Sequence, residues 1–136
     1  MADTVEFELV SPEQLLISAP VEMVVVPGAE GDFGVLPGHA PLISTVRTGV
    51  ISVYENKAVS RRIFVSGGFA EVTAARCTVL ADEAVDLEDA DRAQAEARLA
   101  TAREALADAE SDDERASVGA ELAIAEALLA AIDAER

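Results

Sequence analysis

Scarcity defines this chain of 136 residues: one cysteine, Cys77, one histidine, His39, and no tryptophan. A single cysteine closes no internal disulfide and suits a reducing compartment. With one histidine and one cysteine there is no Cys-x-x-Cys or His-Glu-x-x-His spacing, so the ordinary zinc sites are excluded and no metal is expected. Cations are scarce too, ten Lys and Arg against 26 Asp and Glu, for a net charge of −16. Nucleic acid is thereby excluded as a partner, because phosphate binding needs clustered cations. An anionic lipid surface would repel the chain, so no direct lipid binding is expected. No apolar run approaches the roughly eighteen residues of a transmembrane helix. The opening MADTVEF has neither the apolar stretch of a signal peptide nor an Arg-rich transit pattern, so the expectation is a chain without a leader. Any membrane association should therefore run through a protein partner.

Hydrophobic residues nevertheless make up 51% while aromatics make up 4%. The core must be built from Val, Leu, Ile and Ala. Up to Asp82 the pattern has period two: Val5, Phe7 and Leu9 alternate with Thr4, Glu6 and Glu8, and similar runs occur at Val21 to Val26, Gly49 to Tyr54, Val59 to Val65 and Cys77 to Ala81. Turn signals punctuate them at Ser11-Pro12, Pro27-Gly28, Glu55-Asn56-Lys57 and Ser66-Gly67-Gly68. Short strands with frequent Gly and Pro predict a β-sandwich or flattened barrel.

Beyond Asp82 Gly and Pro nearly vanish and the period becomes helical. Ala95, Leu99, Ala102, Leu106 and Ala109 form one seam, and Val118, Leu122, Ala125, Leu129 and Ile132 another. The polar break Ser111-Asp112-Asp113-Glu114 between them predicts a helical hairpin. Ile124, Leu128 and Ala131 form a second row on the second helix, expected to pack on the sandwich or on a partner. The predicted class is α+β: an N-terminal antiparallel β-sandwich over residues 1–84 and a C-terminal antiparallel two-helix hairpin over 85–136. Acidity is concentrated in the hairpin, with five basic and ten acidic residues up to Asp82 and five and sixteen after it. Asp86 or Glu88 to Asp91 is expected at the positive end of the first helix, with Glu88–Arg92 and Arg92–Glu96 as pairs along its surface.

Gly31 to Pro41 reads as a long surface loop shaped by Gly28, Gly31, Gly34 and Gly38 at positive φ and by three prolines. It is no phosphate cradle, since it lacks both the Gly-Lys-Ser/Thr ending and a third Gly opening a helix. Ser66 stands outside any Gly-x-Ser-x-Gly elbow, and His39 has no partner visible in the sequence, so no catalytic constellation emerges.

The nineteen residues GDFGVLPGHAPLISTVRTG, Gly31 to Gly49, resemble the signature of the epsilon subunit of bacterial F-type ATP synthases, the counterpart of the mitochondrial delta subunit. In that family Gly, an acidic residue, an apolar residue and Gly lead into PGHAPL, a short strand and a Gly turn. VSGGFAEV, Val65 to Val72, is similar to its SGG-x-x-E-V segment, and LADEA, Leu80 to Ala84, to its closing strand. The resemblance implies a non-catalytic subunit of the rotary central stalk, coupling rotation of the c-subunit ring to the catalytic head through the gamma subunit. It implies a peripheral place on the cytoplasmic face of the bacterial inner membrane. Asp32 matches the acidic contact to the ring, and His39 lies in the same stretch.

In some members the hairpin reaches the alpha and beta subunits of the head and restrains ATP hydrolysis, and it can bind ATP through an aliphatic-Asp-x-x-Arg-Ala motif. Asp89, Arg92 and Ala93 match that motif, so Asp89 and Arg92 are the candidate nucleotide contacts. Glu88 replaces the aliphatic residue, and Ala116 to Glu135 holds no Lys or Arg. No cofactor is therefore expected, and an acidic arm is poorly matched to acidic surfaces on a head. Apart from the resemblance, the same patterns fit a free-standing β-sandwich binding module whose helical hairpin recruits another partner.

Overall fold

In the computed structural model residues 4–135 are described; residues 1–3, part of the stretch read above for a leader, and residue 136 lie outside the described residues. Eight strands come first: β1 (Val5–Val10), β2 (Leu15–Val21), β3 (Met23–Gly28), β4 (Gly31–Val35), β5 (Leu42–Glu55), β6 (Ala58–Val72), β7 (Arg76–Ala81) and β8 (Ala84–Asp86). Helices α1 (Arg92–Asp108) and α2 (Asp112–Ala134) follow. The chain divides into two compact units, Met1–Glu88 and Asp89–Arg136. The expected boundary at 84/85 falls inside β8, whose residues pair with Ile63, Phe64 and Val65 of β6. Asp86 also takes an ion pair from Arg61 at 2.8 Å, and the Leu87 amide donates to the Arg62 carbonyl. The first unit therefore continues to Glu88.

The strands run in the order β2-β1-β7-β6-β5-β3-β4, with β8 added on β6. Neighbours are antiparallel except β1 and β7, which are parallel. Two long strands make a sandwich of this single sheet. β5 and β6 pair from Leu42↔Val72 to Glu55↔Ala58, and midway along both the inward parity flips. On β6 the core positions are Ile63 and Val65 before Gly67 but Ala70 and Val72 after Gly68; on β5 they are Val46 before Gly49 but Ile51 and Val53 after it. One half of each strand thus faces the core from each layer, and the other edge of β6 passes from β8 to β7.

The sequence signals at Ser66-Gly67-Gly68 and Gly49 therefore mark bends within strands and not turns. Gly68, at φ 133°, sits so close to β7 that a Cβ would lie 2.1 Å from the Leu80 carbonyl oxygen. A Cβ at Gly49 would lie 2.9 Å from Pro27 Cβ. The stretch from Gly31 is likewise not all loop: Gly31 to Val35 is β4, paired with β3, and only Leu36 to Pro41 lacks strand pairing. Within it Gly31 and Gly38 have positive φ, whereas Gly28 and Gly34 do not.

Between the layers Val5, Phe7, Leu9, Val24, Val26, Ile51 and Val53 are buried with their neighbours, each large side chain contributing about 1.5–3 kcal/mol by leaving water. Cys77 belongs to this core, and burial pushes its thiol up from 9.0 to about 12.

In the second unit Asp91 caps α1, accepting from the Ala93 and Gln94 amides, so Asp86 is a strand residue and not part of the helix start. Asp112 to Glu114, expected as the break, form the first turn of α2. Ser111 caps it by accepting from the Glu114 amide, and Glu114 accepts from the Glu110 amide, a reciprocal arrangement close to a capping box. Ala95, Leu99 and Ala102 on α1 and Ala125, Leu128 and Ile132 on α2 are buried. Leu128, placed by its spacing in the second row, is thus more buried than Leu129 of the expected seam, which is half-buried. Two ion pairs bridge the helices, Arg92–Asp133 and Arg98–Glu121, each 2.7 Å.

Two expectations follow. Gly68→Ala, which adds both a collision with Leu80 and strain at positive φ, is expected to cost about 2–4 kcal/mol. Gly119→Ala in α2, where a Cβ meets nothing within 4 Å, is expected to gain about 0.5–1 kcal/mol; urea unfolding of the two variants checks both signs. Because the unfolded thiol of Cys77 ionises near its ordinary value of 9.0 while the folded one waits until about 12, the stability it contributes is full below pH 9 and is lost as pH rises toward 12. A Cys77→Ala variant is expected to show less of this alkaline decline in unfolding midpoints measured across that range.

Candidate functional site

Three places on the chain stand out, and two of them carry the residues singled out by sequence. The first is the tip of the β3–β4 hairpin. Asp32 stands on β4 opposite Pro27, with 61% of its side chain exposed, and pairs with Nη2 of Arg47 at 2.5 Å. Nη1 of the same guanidinium donates to the Gly28 carbonyl. The Ala29 amide donates to the Thr45 carbonyl at 2.9 Å, so the tip leans on β5. Asp32 is therefore neither a free carboxylate nor a loop residue, as its sequence context had suggested.

His39 lies in the Leu36–Pro41 connection. Its Nδ1 donates to the Ala40 carbonyl at 2.7 Å, while the Gly38 amide holds the loop by donating to the Ala74 carbonyl at 2.8 Å. No hydrogen bond joins His39 to Asp32 among the described residues, so the two share a segment and not a contact.

The second place was not foreseen. Strand register puts Leu15, Val10, Leu80, Phe69 and Thr45 in one row across β2, β1, β7, β6 and β5, on the side opposite the core. Ile43 follows on the same face, opposite Glu71. Four of these large apolar side chains are mostly in solvent, Leu15 at 58%, Leu80 at 54%, Phe69 at 58% and Ile43 at 74%. Scattered exposed apolar residues mean little, but a contiguous row marks an interaction face. The readable signal was large apolar residues at outward positions of alternating strands, most clearly Phe69 in GGFAEV and Leu80 in TVLAD.

The third place is the hairpin. Asp89 lies exposed in the turn before α1, and Arg92 opens that helix. Arg92 is held by Asp133 through Nε at 2.7 Å and Nη2 at 3.2 Å, and by Glu96 one turn along. The hydrogen bonds that Arg92 donates to Asp133, then the charges of Asp133 and Glu96, raise its pKa above the usual arginine range. No hydrogen bond or ion pair joins Asp89 to Arg92 among the described residues. The expected Arg92–Glu96 pair is formed; Glu88 instead uses its amide to reach Asp86. A groove of about 460 Å³ runs beside Arg98, Thr101, Ser117 and Glu121, and its one cation, Arg98, is paired with Glu121.

Chemically these arrangements favour contact over catalysis. The one thiol is buried and held protonated, which removes the thiolate a nucleophile needs. Among the described residues no cluster of three or more His, Cys, Asp or Glu could hold a metal ion, and no helix is long and apolar enough to cross a membrane.

Comparison with known proteins agrees with this architecture. A family profile described as "ATP synthase, Delta/Epsilon chain, beta-sandwich domain" matches residues 4–87. The ATP synthase epsilon chain of Rhodospirillum rubrum is 63% identical over 131 residues, covering 96% of this chain and 98% of that relative. That of Rhodospirillum centenum is 59% identical over 134 residues, covering 95% and 92%. Among solved structures, a chain of the Euglena gracilis mitochondrial ATP synthase, in an assembly of OSCP, F1 and c-ring, superposes with a TM-score of 0.78 at 26% identity, covering 96% of this chain and 82% of that one. A chain from the central stalk and c-ring of the Tetrahymena thermophila enzyme shares the fold, with a TM-score of 0.66 at 14% identity over 94% of this chain and 96% of that one. A sandwich profile over the first unit and near-full-length relatives at this identity leave one conclusion: the chain belongs to the epsilon chains of ATP synthase, non-catalytic subunits of that complex.

Proposed function

We propose that the chain couples rotation of the c-subunit ring to the catalytic head, with its sandwich docked on the gamma subunit and its β3–β4 tip turned to the polar loops of the ring. The observation that carries this reading is the exposed row Leu15, Leu80, Phe69 and Ile43. Left in water, each such side chain forfeits about 1.5–3 kcal/mol that burial against a partner would recover. The row is built on paired strands, so it presents a fixed surface able to pass torque without loop rearrangement. Asp32, 61% exposed at the hairpin tip, supplies a polar contact to the ring, with His39 in the adjoining loop. The similar Euglena chain comes from an assembly that includes the c-ring, which supports the ring as a partner.

On this reading the chain is peripheral, held to the cytoplasmic face of the bacterial inner membrane through the complex. Each unit folds on its own, the sandwich as far as Glu88. Of the residues nominated for nucleotide, Arg92 acts as a bridge between the helices: ATP would have to displace two carboxylates from it, and Asp89 offers no compensating cation. The hairpin's acidity opposes docking on acidic surfaces of the alpha and beta subunits, so it restrains hydrolysis weakly or not at all.

Synthase reconstituted in vesicles tests these statements. Asp32→Arg sets like charges together at a basic ring loop, an arrangement that costs several kcal/mol at an interface. ATP-driven proton pumping is expected to fall while hydrolysis continues; undiminished pumping contradicts the ring contact. A chain ending at Glu88 is expected to support the same hydrolysis rate as the full chain, and a marked rise on truncation would show that the hairpin restrains the head.

A further inference from the structure

The guanidinium of Arg47 spans two acceptors that lie on different strands. Nη2 meets Asp32 on β4 and Nη1 meets the carbonyl of Gly28 on β3, while Arg47 itself belongs to β5. The ladder between β3 and β5 is irregular here: its register shifts between Val25 and Gly28. Pro27 within that interval has no amide to donate. At the end of β3, where the ladder to β5 is irregular, the Arg47 fork adds a side-chain bond to the backbone.

Packing leaves little alternative to this pose. A Cβ at Gly28 would lie 2.8 Å from the Gly31 carbonyl oxygen and 2.9 Å from the Phe33 ring, so the tip is drawn tight from Gly28 to Phe33. On the β5 side the Ala29 amide reaches Thr45, two residues before Arg47. Three attachments therefore converge within one turn: Ala29 to Thr45, Gly28 to Arg47 and Asp32 to Arg47.

An exposed ion pair alone would hold little, since solvent screens it. Both side chains are open, 45% for Arg47 and 61% for Asp32. What distinguishes Arg47 is the planar fork, which satisfies a backbone carbonyl and a carboxylate at once; an ammonium cannot reproduce that geometry.

We propose that Arg47 is the positioning residue of the β3–β4 tip: it fixes the direction of the Asp32 carboxylate and makes the tip present an internal ion pair, not a lone negative charge, to its partner. This rests on the reading of Asp32 as a rotor-ring contact. A partner loop that meets the tip then competes with Arg47 for one carboxylate oxygen, Oδ1, while Oδ2 stays available to it. The selected partner surface is polar and carries a hydrogen-bond donor or a cation placed to share Asp32.

Two readouts decide the proposal. In the isolated chain, Arg47→Ala is expected to speed amide exchange at Ala29 by about tenfold, the scale of one lost hydrogen bond, with Val53 and Val79 unchanged; Arg47→Lys is expected to recover part of the protection. In reconstituted synthase, Arg47→Ala is expected to lower ATP-driven pumping to the level of Asp32→Ala, and the double variant to pump no worse than either single one, as coupled residues require. Additive losses in the double variant, or unaltered exchange at Ala29, would overturn the positioning role. If Asp32→Ala itself pumps normally, the ring contact fails as a reading, and the exchange at Ala29 still decides whether Arg47 holds the tip.

Discussion

Gly68 pressed against the Leu80 carbonyl is the constraint on which the first unit depends. With φ of 130° and 133° at Gly67 and Gly68, β6 reverses its facing without ending, which two residues bearing side chains could not do without strain. Ile63 and Val65 fill the core from one layer and Ala70 and Val72 from the other. β5 makes the matching reversal beside it, near Gly49, where Pro27 packs against the open Cα. A single continuous sheet thereby folds over on itself and buries Val, Ile and Leu with few aromatics.

The same reversal determines what is left outside. Once Ala70 points inward, its neighbours Phe69 and Glu71 must point outward, because strand side chains alternate. Phe69 then meets Leu80 across the strand pair, and the row extends to Leu15 at one edge and toward Ile43 at the other. The exposed apolar face is thus a product of the core register and not a separate feature. The β3–β4 tip is set by the neighbouring bend, since Pro27 packs against Gly49 and Arg47 leaves β5 two residues earlier. The exposed apolar row and the polar tip are both placed by one pair of bent strands. The hairpin has different physics: small side chains give it little apolar area, and arginine bridges to Asp133 and Glu121 join its helices.

Much of this was legible in the residues. Period-two alternation found β1 and β7, helical spacing found both helices, and GDFGVLPGHAPL carried the family. The glycines misled, since Gly49 and Gly67-Gly68 read as turns when each marks a bend inside a long strand; alternation breaks at both places, and a parity reversal looks like an ending. Asp112 to Glu114 looked like a break because charge was weighed above the Ser-x-x-Glu spacing that starts a helix. Asp32 was singled out through the motif, but Arg47 was not. Their pairing depends on β5 lying beside β3, a long-range fact that no local pattern encodes. The apolar row was hidden for the same reason, since its members are far apart in sequence and meet only through register.

The most direct measurement is calorimetric titration of the intact chain, with and without Phe69→Glu, onto the isolated gamma subunit. If the outward row is the docking face, a charge at its centre removes a hot spot worth about 2 kcal/mol or more, and affinity falls by at least about thirtyfold while the strands stay folded by circular dichroism. Unchanged affinity in a folded Phe69→Glu chain would contradict that face and move the contact elsewhere on the sandwich or to the hairpin.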